Sequence, residues 1–249
     1  MVTHFLYLVR HGEADPHDGP LSQAGERQAQ LTGQRLKDVP FSGIYHGPLP
    51  RAAQTAGLIA ASLPGVPVCA CDLAGDYVPF APDPGDLPPG FASFVAGFSA
   101  AELADGPKLA AAALERFAGT GGEQEDTHEL IVTHNFLIGW FVSQALGAPP
   151  WRWLGLNQMN CALTVIAYLP GLAPGLISFN DAGAPPARAA MDRVPRRGKT
   201  CLRLTAAQPG GRVTKSAALR SAGGHRSLRD GGERPLPSIG LRVVEKIWA

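Results

Sequence analysis

Arg10-His11-Gly12, Arg51 and His134 are the residues of this chain whose types and settings suit them to work on phosphate. An imidazole nitrogen can attack a phosphorus centre and form a phosphoramidate, which divides one hard displacement into two easier ones. The phosphoryl group in transit carries spreading negative charge, so fixed cations must surround it. Arginine fits that place because its planar fork pairs two oxygens and stays charged. Arg51 falls at a predicted helix start, where the dipole disfavours a cation, and this points to a functional reason for it. Gly12 lacks a Cβ, which lets backbone approach a phosphate closely. His4, His17, His46, His128 and His225 match no such pattern and read as surface or structural, with His46 beside the Arg51 loop as a candidate pocket lining.

These side chains need elements that bring them together. Residues 4–9 are a short apolar run of strand formers that ends at Arg10-His11. A helix is expected over 23–37, capped by Ser22, then a strand over 41–46, a helix over 51–63 and a strand over 66–71. Residues 75–90, rich in Pro, Gly and Asp, read as an irregular surface excursion of the kind that is often functional. Helices over 91–103 and 107–117 precede a buried strand at 129–133 that ends on His134-Asn135, a helix at 136–146, and closing strands at 161–169 and 176–180. Strands alternating with helices predict an α/β fold, a three-layer α/β/α sandwich with a mainly parallel sheet. Ligands in such folds bind beyond the carboxyl ends of the strands, which is where Arg10, His11 and His134 fall, with Arg51 one brief loop beyond the second strand.

Composition bounds the rest. The chain has 249 residues, formal net charge +1, 45% hydrophobic and 17% charged residues, as a soluble globular protein does. The balance hides a split: residues 1–186 hold 8 basic against 17 acidic residues, and residues 187–249 hold 14 against 4. Two parts are therefore expected, a mildly acidic domain over 1–186 and a basic, largely irregular tail over 187–249 with the composition of disorder. The tail reads as a solvated extension, with an arm for nucleic acid or another polyanion as the alternative. No apolar run approaches the roughly 20 residues that span a bilayer, and the opening segment lacks a cleavage site, so a cytoplasmic protein with no membrane contact is expected. Cys69, Cys71, Cys161 and Cys201 form no CxxC pair and read as small buried side chains in a reducing compartment.

Leu8-Val9-Arg10-His11-Gly12-Glu13 resembles the signature of the histidine phosphatase (phosphoglycerate-mutase-like) superfamily. Three further stretches match in order: Leu21-Ser22-Gln23-Ala24-Gly25 with Gln28-Ala29, Pro48-Leu49-Pro50-Arg51-Ala52-Ala53-Gln54-Thr55-Ala56, and Val132-Thr133-His134. The resemblance covers residues 3–183. It implies His11 as nucleophile, Arg10, Arg51 and His134 around the phosphoryl oxygens, and neither metal nor cofactor. Gly47 stands where the family often has Ser. The family's general acid is commonly a carboxylate after the third strand, a place that Asp76 takes here, with Glu13, Asp15 and Asp18 as rivals near the nucleophile. The segment from Pro149 to Thr164 and Asp181-Ala182-Gly183 are similar to the branch that includes mitochondrial protein serine/threonine phosphatases. The expected activity is metal-independent hydrolysis of a phosphorylated small molecule or phosphoprotein through a phosphohistidine. The alternatives are phosphoglycerate mutase-type transfer and a phosphate-binding scaffold without turnover.

Overall fold

Alternate residues of the first strand, β1 (His4–Arg10), serve two separate cores. Leu6 and Leu8 enter one; Phe5, Tyr7 and Val9 face the other. This is the period of two that an extended chain imposes. A later strand, β4 (Thr127–Thr133), divides the same way, Ile131 to the first core and Leu130 and Val132 to the second. With apolar side chains on both faces, the sheet must be covered twice.

Helices α1 (Gln23–Leu36) and α2 (Pro50–Ala60) cover one face through Leu36, Ala52, Ala56 and Ile59. Helices α4 (Ala100–Phe117) and α5 (Asn135–Ala145), with the short α3 (Pro89–Val95), cover the other through Ala110, Ala113, Phe117, Leu137, Ile138 and Phe141. The remaining strands are β2 (Gly43–His46), β3 (Val68–Ala70), β5 (Leu163–Tyr168) and β6 (Gly175–Asp181). The sheet runs β3-β2-β4-β1-β5-β6. Its first four strands are mutually parallel; β5 pairs antiparallel to β1 and to β6. The three-layer α/β/α sandwich expected from the sequence is thus the observed fold, with an antiparallel margin on an otherwise parallel sheet.

This computed structural model describes residues 2–15, 19–120 and 125–183. The 187–249 tail, the boundary placed before it, His17, Asp18, Cys201 and His225 lie outside the described residues.

Most boundaries fall within a few residues of the sequence reading, and two differences have clear causes. The break expected between 103 and 107 is absent: Pro107 lies inside α4, and the helix instead begins after Ser99. There a reciprocal cap forms, in which the Ser99 hydroxyl accepts from the Glu102 amide and the Glu102 carboxylate accepts from the Ser99 amide. Among the described cysteines only Cys161 is buried. Cys69 is exposed and Cys71 half-buried, because β3 is a three-residue edge strand exposed at every position.

Candidate active site

Register brings three strand ends to within one residue of the same level. Arg10 lies opposite Thr133 in the β1–β4 pair, and His46 lies opposite Val132 in the β2–β4 pair. His11 and His134 therefore emerge side by side at the carboxyl edge of the sheet, with Gly47 one residue back beside Thr133. Backbone bonds continue the ladder one step further, from His11 N to Thr133 O (3.0 Å) and from Gly47 N to Val132 O (3.1 Å). The chain then turns into helices: His134 is the N-cap residue of α5, and Arg51 is the second residue of α2, just after Pro50. Pro50 thus opens the helix, a position where its missing N–H costs nothing.

His11 is 8% exposed, and its two ring nitrogens have different partners. Nδ1 lies 2.8 Å from the Gly12 carbonyl, which can only accept, so Nδ1 carries the proton. Nε2 is then the lone-pair nitrogen, and it accepts from Arg51 Nε at 3.1 Å. Burial, above all, holds the His11 pKa down to about 3, with the neighbouring His134, Arg10 and Arg51 pushing the same way against the Gly12 carbonyl. The imidazole is neutral at ordinary pH, with its lone pair directed into a cationic cluster.

Arg51 joins the other members. Its Nη2 donates to Asp76 Oδ2 at 3.0 Å and lies 3.5 Å from His134 Nδ1, which is itself 3.5 Å from Asp76 Oδ2. The His11 and His134 rings sit 4.9 Å apart, centre to centre. Arg51 and His134 are buried, whereas the Asp76 side chain is 35% exposed and so can reach both the cluster and the solvent side. Arg10 reaches the same region from β1, close enough for Asp76 and Arg51 to act on its charge, and burial lowers its pKa from the ordinary value. The structure therefore brings together all five residues expected from the sequence, Arg10, His11, Arg51, His134 and Asp76. Two arginines and the N-terminal ends of α2 and α5 make this edge favourable for an anion, within a stretch of chain that is acidic overall.

Two of the rival carboxylates are described, and both have partners outside this cluster. Glu13 is exposed and accepts from the Ser22 hydroxyl at 2.9 Å, while Ser22 caps α1 by accepting from the Gly25 amide. Asp15 is exposed, in a turn where its amide bonds Pro20 O. His46 turns its Nδ1 to the Gly47 carbonyl, and His4 and His128 pair with Thr127 and Tyr7 near the opposite end of β1.

Two glycines are explained by packing rather than by phosphate. A Cβ on Gly12 would lie 2.6 Å from the Gly25 carbonyl oxygen, so this glycine admits helix α1 against the His11 loop. A Cβ on Gly47 would lie 2.4 Å from the Ala74 carbonyl oxygen. That carbonyl also accepts from the Thr133 hydroxyl at 2.7 Å, which fixes the 3-10 turn Asp72–Ala74 against the strand ends and sets Asp76 two residues further on.

Sequence reasoning misses the support of the site. Thr55 Oγ1 accepts from the Gly12 amide (3.0 Å) and donates to Arg51 O (2.7 Å), joining the His11 loop to the Arg51 turn. Asn160 Nδ2 donates to His11 O at 3.0 Å, Arg10 Nη1 donates to Gln158 O, and the Gln158 amide donates to Asn135 Oδ1 at 2.8 Å. The one local signal for this support is Asn157-Gln158-Met159-Asn160, a polar run directly before an apolar strand.

Residues 6–72 and 100–181 match the model of the histidine phosphatase superfamily (branch 1). The matched stretches contain Arg10, His11, Arg51 and His134, whereas Asp76 falls in the interval between them. The chain is 30% identical over 192 residues to the mitochondrial serine/threonine-protein phosphatase PGAM5 of Rattus norvegicus, covering 74% of this chain and 65% of that protein. It is 31% identical over 188 residues to mitochondrial Pgam5 of Caenorhabditis briggsae, covering 72% and 63%. The chain thus spans less than two thirds of these relatives' length. A phosphoglycerate mutase structure from Plasmodium falciparum shares the fold, with TM-score 0.53 and 23% identity over 76% of this chain and 98% of that one. The relatives' names place them in mitochondria, so they lend no support to the expected cytoplasmic location. No helix among the described residues is long and apolar enough to cross a membrane.

Proposed function

We propose that this chain, which belongs to the histidine phosphatase superfamily, hydrolyses phosphomonoesters through a phosphohistidine on His11 Nε2. The observation that carries the reading is the pairing of His11: Nδ1–H is held by the Gly12 carbonyl, so the lone pair on Nε2 faces Arg51 and His134. In the first step Nε2 attacks phosphorus, the P–O ester bond breaks, and Asp76 gives its proton to the departing oxygen. Arg10, Arg51 and His134 hold the three remaining phosphoryl oxygens as charge spreads over them. An arriving phosphate competes for Arg51 and His134 and sets negative charge beside Asp76, conditions in which a carboxyl can hold a proton. In the second step Asp76 takes a proton from water, the water oxygen bonds phosphorus, and the P–N bond breaks to release phosphate and neutral His11. The cations are all side chains, so turnover should withstand a chelator.

The relatives' names favour a phosphoserine or phosphothreonine protein as substrate over a small molecule. A binding module without turnover would be the better reading only if no acid stood near the nucleophile. Asp76 beside Arg51 and His134 favours turnover.

The test is to quench wild type and His11→Ala with acid or base during turnover of a labelled phosphopeptide or 3-phosphoglycerate. Label that survives base but not acid, on wild type only, is expected. Label on serine, or activity that persists in the variant, overturns the mechanism.

A further inference from the structure

Residues 76–78 belong to no helix or strand, although Asp76 among them meets Arg51 at 3.0 Å. No regular ladder of backbone bonds runs through that stretch, so its position depends on other contacts. Two hydroxyls bond the 3-10 turn just before it. The Thr133 hydroxyl donates to Ala74 O at 2.7 Å, and the Tyr77 hydroxyl donates to Leu73 O at 2.7 Å. Thr133 reaches the turn from the end of β4, whereas Tyr77 follows Asp76 directly and lays its ring against Gly75. The Tyr77 bond therefore closes a small loop with Asp76 inside it. Thr133 and Ala74 are both fully buried. On β4 Thr133 falls on the face of Ile131, in the apolar core, where valine has the same shape and no hydroxyl to satisfy. Packing alone gives no reason for the oxygen, and the Ala74 carbonyl does. Burial pushes the Tyr77 phenol above its ordinary pKa, so its hydroxyl stays a donor.

We propose that Thr133 and Tyr77 are positioning residues for the acid: their hydroxyls set where the Asp76 carboxyl stands, and so how well the site turns over esters whose leaving oxygen needs a proton. This rests on the reading of Asp76 as the acid. Neither hydroxyl enters the reaction, since each is engaged by a backbone carbonyl. A tether that served the fold alone would slow all substrates alike or only lower stability. A tether of the acid slows each substrate according to its need of a proton.

The test compares kcat/KM on nitrophenyl phosphate, whose leaving group departs with little need of a proton, and on an alkyl phosphate. This constant reports the steps up to P–O cleavage, so it separates the acid from the later attack of water. The full chain is assayed as wild type, Thr133→Val, Thr133→Ser, Tyr77→Phe, Asp76→Asn, and Asp76→Asn combined with Thr133→Val or Tyr77→Phe. Thr133→Val and Tyr77→Phe should each lose about tenfold or more on the alkyl phosphate, as a misplaced group does, and stay within about twofold of wild type on nitrophenyl phosphate. Thr133→Ser keeps the hydroxyl and should recover most of the loss. In the Asp76→Asn background neither change should lower the alkyl phosphate rate further, because no acid remains to be placed. Equal losses on both substrates, or a further loss in that background, overturn the proposal. If Thr133→Val fails to fold, Tyr77→Phe decides by the same criteria. Selective loss in Asp76→Asn without it in Thr133→Val or Tyr77→Phe overturns the proposal alone. No selective loss in Asp76→Asn overturns the acid reading, and the proposal with it.

Discussion

Replacing His11 by Asn should abolish turnover and, at the same time, make the protein less sensitive to mild acid. Asn can keep the hydrogen bond to the Gly12 carbonyl through Nδ2, so the local backbone is retained while the titrating ring is lost. The native ring has its pKa held down to about 3, against 6.5 for an ordinary histidine. Below about pH 6.5 the unfolded chain binds a proton at His11 that the native protein refuses, so acid favours unfolding. The penalty is near zero at neutral pH, grows as pH falls from about 6.5 toward 3, and is constant below that. Each pH unit in this window is worth about 1.4 kcal/mol, so about 2 kcal/mol should have been lost at pH 5. Urea unfolding of both proteins at about pH 7 and pH 5 isolates the contribution of His11, because every other group is common to both. Wild type should lose about 2 kcal/mol more than the variant over that interval. Parallel losses would mean that His11 titrates normally in the native protein. The neutral, lone-pair-bearing nucleophile would then fail with it.

Three further outcomes are expected. Arg51→Lys keeps the charge but cannot reach His11, Asp76 and His134 with one planar group, and kcat should fall by about 10²–10³ in steady-state assays with nitrophenyl phosphate. Asp76→Asn should slow phosphopeptides or alkyl phosphates far more than nitrophenyl phosphate, whose leaving group needs little protonation; equal losses in a paired assay would point away from Asp76 as the acid. Gly47→Ser, which restores a side chain often found there in the family, should cost about 1–3 kcal/mol in denaturant unfolding and lower activity, because its Cβ would meet the Ala74 carbonyl.

The residues that end strands are the most legible part of the site. Residues 5–9 and 130–132 are apolar runs that stop at Arg10 and just before Thr133-His134, and parallel strands deliver their carboxyl-terminal neighbours to one edge. Local signals also place helix α1, whose Ser22 cap stands at the expected position. The illegible part depends on contacts between distant positions. Arg10 bonds Gln158 across 148 residues, and Asn160 bonds His11 across 149; no local pattern reports such pairs. The start of α4 is misread for the opposite reason. Gly106 and Pro107 are strong local breakers, yet the reciprocal Ser99–Glu102 cap and burial of Ala110, Ala113 and Phe117 outweigh them.

The two departures from the family pattern, Gly47 and Asp76, meet at one 3-10 turn. A serine at 47 would hold the 3-10 turn Asp72–Ala74 away from the strand ends, because its Cβ needs the space that the Ala74 carbonyl fills. With glycine there, that same carbonyl accepts from the Thr133 hydroxyl, and Asp76 follows two residues beyond it. From there the Asp76 carboxylate meets Arg51 at 3.0 Å. A side chain at 47 would therefore disturb the turn that precedes Asp76 as well as the strand edge it adjoins.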